Sequence, residues 1–166
     1  MIREGRVWTF GDDINTDLIF PNRAFNVSVE EQLKLVFSAN RPGWVEQVRE
    51  GDFIVAGENF GMGSGRAIGK MFTAIGIRGA VASSFNGLGF KNCIMWGLPA
   101  LTVPRIGDHV QEGEVLRVDF AAGAVTNVDT GWSTTVAGLP DLLIGIAGAG
   151  GMVKLLAAEG LVELPA

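Results

Sequence analysis

Histidine and cysteine occur once each in this 166-residue chain, as His109 and Cys93, and tyrosine does not occur at all. One thiol excludes an internal disulfide framework and any all-cysteine metal or iron–sulfur site built by this chain alone. One imidazole leaves little for a zinc site. Charged residues make up only 19% of the chain, the formal net charge is −5, and nowhere do five like charges stand together. That distribution argues against an electrostatic footprint for nucleic acid. Long apolar runs are missing too: the longest weakly polar stretch, Leu142 to Val153, is broken by glycines and too short to span a membrane. The opening Met1-Ile2-Arg3-Glu4-Gly5-Arg6 is charged and precedes no apolar core, so no signal peptide is expected. With no linker and no repeat, the expectation is a single cytoplasmic domain over residues 1–166.

Glycine is what the sequence has in excess, 24 residues, about twice the usual share. It follows no Gly-X-Y period and marks turns and close backbone approaches instead. Val7–Phe10 reads as a strand leading into the polar loop Gly11-Asp12-Asp13-Ile14-Asn15-Thr16-Asp17. Ser28 and Glu31 have capping-box spacing, and Leu33, Val36 and Phe37 continue a helical period as far as Arg41-Pro42-Gly43. Phe53–Ala56, Ala80–Ala82 and Leu98–Val103 are buried-strand runs, separated by helical patterns over Ala67–Ile75 and Asn86–Trp96. That alternation predicts a parallel α/β core. After Pro104, Val115–Phe120 and Ala124–Val128 alternate apolar and polar residues as hairpin strands do, and Trp132–Val136 adds a third. One or two short helices, broken at Gly148–Gly151, close the chain.

Chemistry concentrates in Gly57-Glu58-Asn59-Phe60-Gly61-Met62-Gly63-Ser64-Gly65-Arg66, between a predicted strand and a predicted helix. A phosphate loop of the Gly-x-x-x-x-Gly-Lys type fails because position 64 is serine. A dinucleotide fingerprint fails because its third glycine falls on Arg66 or Ile68. A nucleophile elbow around Ser64 would need glycine where Met62 stands. What remains is Ser64 and Arg66 at a helix mouth, with backbone amides opened by Gly63 and Gly65. Arginine holds a carboxylate in bidentate fashion, and a serine in sufficient positive potential can serve as a base. Read from these residues alone, a bland assignment is equally available: Ser64 as helix N-cap and Arg66 as a solvated residue of the first turn.

The loop Gly11–Asp17, the run Val55–Arg66, Ala82-Ser83-Ser84-Phe85, Asn92 with Gly97-Leu98-Pro99, Gly107-Asp108, Val118 to Gly131-Trp132, and Gly150-Gly151-Met152-Val153 together resemble the small subunit of 3-isopropylmalate dehydratase. That subunit is the swivelling domain of the aconitase superfamily. The likeness runs through nearly the whole chain, in order. It implies a swivelling α/β fold, with a parallel central sheet, helices and a smaller antiparallel β layer. It also implies a large partner subunit whose three cysteines hold a 4Fe–4S cluster, no cofactor on this chain, and a small hydroxy-carboxylate substrate. In the family's Gly-Ser-Ser-Arg loop the first serine is the base and the arginine grips a substrate carboxylate; here these are Ser64 and Arg66. Asp17 matches the acid of the family's Thr-Asp signature and is read as shaping the site.

Two departures stand out. The family's second serine is Gly65 here, and the glutamate after the arginine is Ala67. The first removes a hydroxyl beside the substrate, the second an anion that would orient Arg66. The family's substrate selector matches Asn22–Ser28, with Asn26-Val27 at the selecting place. That pair favours a 2-hydroxy dicarboxylate with a modest apolar substituent. A slip of one residue would bring Arg23 into play; otherwise Arg23 is a surface residue. A non-catalytic anion-binding module that kept the fold is the alternative function. His109 is expected to be exposed, Cys93 buried and inert, and Trp8, Trp44, Trp96 and Trp132 to be core or interface anchors.

Overall fold

Phe53–Ala56 and Gly79–Ala82 are apolar at every position, and both strands are buried at every residue. Strands covered by helices on a parallel sheet have this pattern. In the computed structural model, which describes residues 1–164, they are β2 and β3 of a seven-stranded sheet. The other strands are β1 (Ile2–Phe10), β4 (Ala100–Thr102), β5 (Val115–Asp119), β6 (Ala124–Asn127) and β7 (Ser133–Thr135). The order is β4-β3-β2-β1-β5-β6-β7. Pro165 and Ala166, included in the expected domain, lie outside the described residues.

The parallel core and the antiparallel β layer are both present, and β1 joins them. Its first half, Ile2–Arg6, pairs antiparallel with β5, and its second half, Val7–Phe10, pairs parallel with β2. The strand is thus longer than the apolar run Val7–Phe10 predicts, because its antiparallel half is set by pairing with β5 and carries the charged residues Arg3, Glu4 and Arg6. β5 and β6 alternate buried with less buried residues, as expected for strands packed on one face.

The helices are α1 (Thr16–Ile19), α2 (Val29–Lys34), α3 (Ile68–Ala74), α4 (Gly87–Met95), α5 (Asp141–Ala149) and α6 (Met152–Ala158). Among the described residues no single helix is long and apolar enough to cross a membrane. The capping box of α2 is in place: Ser28 Oγ accepts from Glu31 N at 3.3 Å, and the Glu31 carboxylate accepts from Ser28 N at 3.1 Å. The helix stops at Lys34, short of the predicted extent. Phe37 adopts φ 55°, which turns the chain and places its ring 4.1 Å from Phe10 and 5.0 Å from Trp44. Aromatic packing thus overrides the helical period there. Trp8 and Trp44 are core, whereas Trp96 is 40% exposed. His109 is exposed but stacks on Trp132 at 4.3 Å. Asp52 is buried beside Trp8 and accepts from Trp8 Nε1 and Arg6 Nη2, each at 2.7 Å, and from Arg49 N at 2.9 Å. Burial alone would raise its pKa; these donors outweigh burial and hold the carboxyl below its ordinary value.

Candidate active site

The glycine loop leaves the C-terminal end of β2, the usual ligand edge of a parallel sheet. Two seams hold it. Gly61 N donates to Ile14 O and Thr16 N to Met62 O, each at 2.8 Å, while Phe60 N donates to Ser84 O at 3.0 Å. The segment from Gly11 to Asp17 and the segment after β3 therefore flank Ser64. Gly63 has φ +111°, and a Cβ there would sit 2.8 Å from Thr16 Oγ1. Only glycine permits both the conformation and the approach.

Ser64 is exposed, and its Oγ accepts from Arg66 Nε at 3.1 Å with Thr16 Oγ1 3.4 Å away. Neither half of the bland assignment survives. Helix α3 begins at Ile68 with Ala67 as its cap and no side-chain capping bond, so Ser64 is not the N-cap. The side chain of Arg66 is only 9% exposed. Its guanidinium donates to the Phe20 carbonyl and, at 2.8 Å, to Asn22 Oδ1; it forms an ion pair with Asp17 and lies 5.2 Å from the Phe25 ring centroid. Position 67 is alanine, and the anion that meets Arg66 comes from another element, as Asp17. Gly65 is exposed, and a Cβ there meets nothing within 4 Å, so that departure opens space without straining the loop. Among the described residues, the N–H groups of Gly63, Ser64 and Gly65 have no backbone acceptor.

Ser64, Arg66, Asp17, Gly63 and Gly65 are thus brought together. Arg23 is not: its Nη2 donates to Ser38 Oγ at 2.8 Å. Asn26 is exposed at the end of the short 3-10 turn Asn22–Asn26, one residue past Phe25. Thr16, Asn22, Phe25 and the Phe20 carbonyl belong to the site but were not singled out from sequence. Thr16 adjoins Asp17 in a motif already noted, and that adjacency was the available signal.

The chain has a single cysteine. Cys93 is fully buried, and burial pushes its thiol up to about 12. Among the described residues, no three His, Cys, Asp or Glu side chains converge as metal ligands.

No family model matches the chain. Individual relatives do. It is 42% identical over 158 residues to 3-isopropylmalate dehydratase small subunit 1 of Methanopyrus kandleri, covering 94% of this chain and 93% of the relative. It is 40% identical over 161 residues to the 3-isopropylmalate dehydratase small subunit of Heliobacterium modesticaldum, covering 94% and 97%. A crystal structure of 3-isopropylmalate dehydratase (LeuD) from Methanocaldococcus jannaschii superposes with a TM-score of 0.88 at 29% identity, over 97% of this chain and 96% of that one. Sequence and fold agree over 94–97% of the chain, which belongs to the 3-isopropylmalate dehydratase small-subunit family, as the small subunit of a hydro-lyase.

Proposed function

We propose that Ser64 is the base that removes the carbon-bound proton of a 2-hydroxy dicarboxylate and that Arg66 clamps one of its carboxylates. The observation that carries this reading is the contact from Arg66 Nε to Ser64 Oγ at 3.1 Å. A serine hydroxyl has a very high pKa and serves as a base only where the alkoxide is stabilised. A charge-assisted hydrogen bond from a largely buried guanidinium supplies that stabilisation. The N–H groups of Gly63 and Gly65, which have no backbone acceptor among the described residues, are available to hold carboxylate oxygens beside it.

The ion pair with Asp17 sets a condition on binding. Asp17 is 63% exposed while Arg66 is 9% exposed, so the aspartate is the member free to move. An incoming substrate carboxylate takes its place on Nη2, and Asp17 returns when product leaves. The site presents one cation toward the substrate, with the exposed Phe25 ring and Asn26 next to it. Those neighbours suit a dicarboxylate with an apolar substituent, such as the 3-isopropylmalate named in the relatives, better than a tricarboxylate. Arg23, turned to Ser38, is left out of substrate contact.

The chain works as one domain beside a large subunit, in the cytoplasm. A 4Fe–4S cluster on that subunit would act as Lewis acid toward the leaving hydroxyl; no residue here is asked to supply that chemistry. The test is reconstitution with the large subunit from the same source and assay with 3-isopropylmalate and with citrate. Ser64→Ala is expected to lower kcat by ~10²–10⁴-fold with KM nearly unchanged. Full turnover by that variant would remove the mechanism, and a preference for citrate would remove the substrate assignment.

A further inference from the structure

The ends of α3 and α4 farthest from the Ser64 loop border a second recess, a cleft of about 810 Å³ that also touches the corner between α5 and α6. Its floor is apolar and open to solvent: Met95 is 44%, Trp96 40% and Val153 53% exposed. Its rim carries Arg3, Lys70, Arg78 and Lys154, and no aspartate or glutamate lines it among the described residues. Arg78 is paired with Glu50 at 2.5 Å. Arg3, Lys70 and Lys154 have no carboxylate within ion-pair distance among the described residues. Lys34, Arg105 and Arg117 elsewhere have such partners while Arg23, Arg49 and Lys91 do not, so what sets the cleft apart is that its cations converge on one recess.

Two features make this more than a scatter of surface charge. Arg3 is tucked between strand and helix with its guanidinium donating to the Arg78 carbonyl. Burial, and after it the neighbouring Arg78 cation, pull its pKa below the ordinary guanidinium value. Lys70 Nζ lies 5.5 Å from the Trp96 ring centroid, so a cation and an exposed aromatic face share one wall. The cleft is also preformed. Gly97 and Gly150 meet so closely that a Cβ on Gly97 would lie 2.5 Å from the Gly150 carbonyl carbon, which fixes the corner backbone.

We propose that this cleft binds a small organic anion with an apolar body, its acid group between Lys70, Lys154 and the Arg3–Arg78 pair and its body over Trp96. The apolar floor disfavours a bare inorganic ion, and the converging cations disfavour a neutral apolar guest. The volume falls within the usual range of small-ligand sites, ~300–1,000 Å³. The converging cations in a recess focus an attractive field even on a chain of net charge −5. Nothing in this assignment depends on Ser64 or Arg66, so it stands or falls separately from the chemistry proposed for them.

The test is titration of the full chain with phenyl phosphate and with benzoate, followed by calorimetry and by the Trp96 indole N–H resonance. Inorganic phosphate and phenol serve as charge-only and ring-only controls. Saturable binding of phenyl phosphate or benzoate, at least tenfold tighter than either control and moving the Trp96 signal, is expected. Whichever of the two binds more tightly identifies the acid group. Lys70→Ala with Lys154→Ala, both on exposed helix positions, should weaken binding tenfold or more while the remaining indole signals stay in place. Equal binding of phenol and phenyl phosphate, or binding indifferent to the two lysines, overturns the proposal. So does loss of the response in the assembled two-subunit enzyme, which would make this face a subunit interface.

Discussion

Replacing Arg66 with lysine keeps the positive charge and removes the geometry. The guanidinium reaches Ser64 Oγ through Nε, the Phe20 carbonyl through Nη1, and Asn22 and Asp17 through Nη2. A lysine ammonium is a single point of donation and cannot span those partners at once. At least two contacts are lost, one of them to a carbonyl covered by a side chain only 9% exposed. Each hydrogen bond to a charged group is worth ~1.5–3 kcal/mol. Allowing for water and relaxation at the partly open edge, Arg66→Lys should destabilise the fold by about 2–4 kcal/mol. For a chain of this size that lowers Tm by roughly 5–15 °C. Loss of the Nε contact, valued at ~1.5–3 kcal/mol and converted at 1.36 kcal/mol per decade, predicts a fall of about 10- to 150-fold in kcat/KM. The assays are thermal unfolding of the isolated chain and steady-state kinetics of the reconstituted enzyme at a temperature where the variant is folded. An Arg66→Lys enzyme with unchanged Tm and kcat/KM would refute the claim that the fork of the guanidinium, and not merely its charge, organises this site.

Other outcomes follow from single positions. Gly65 lies outside the left-handed region and has open space about its Cβ position, so Gly65→Ser should raise stability by ~0.4–1 kcal/mol through the unfolded chain, read as an increase in the denaturant midpoint. Gly63→Ala should do the opposite, since φ +111° and the approach to Thr16 Oγ1 both oppose a side chain; a fall of ~1–3 kcal/mol with a lowered kcat is expected. Asp52 has a folded pKa below its unfolded value of about 3.9. Its stabilisation is therefore full above that value and lost as pH falls through the folded pKa. Asp52→Asn should be clearly less stable than the parent near pH 6, with the gap closing below about pH 4, as tracked by Tm against pH. Cys93, with its thiol pushed up to about 12, should resist thiol reagents at pH 8 until the chain unfolds, so its labelling rate reports opening.

The parallel half of the sheet was legible because its strands are short, apolar throughout and separated by helices with clear stops, such as Gly76. The hairpin strands showed through alternation. Two kinds of information were not local. The length of β1 depends on pairing with residues more than 100 positions away, which no window of sequence contains. Helix α2 ends early because Phe37 gains more from Phe10 and Trp44 than from another helical turn. At the site, residue types pointed to Ser64 and Arg66. The partners of Arg66 did not follow from them: Asn22 and Phe25 come from a segment more than 40 residues earlier, and only the packed fold places them under the guanidinium. Arg23 is the converse case, a cation in the right segment whose rotamer carries it to Ser38.

The shared strand also bears on how the chain is made. Residues 2–10 leave the ribosome well before Val115–Asp119, and until those arrive the outer half of that strand has no hydrogen-bonded neighbour. The inner half can dock on Phe53–Ala56 much sooner. A nascent chain therefore passes through a stage in which a nucleus of parallel strands carries a dangling, half-used first strand. High sequence separation of this kind slows closure and leaves an edge open to foreign strands in the meantime. Between translation of β2 and translation of β5 that edge is therefore open, and a chaperone covering it in this interval would protect the chain.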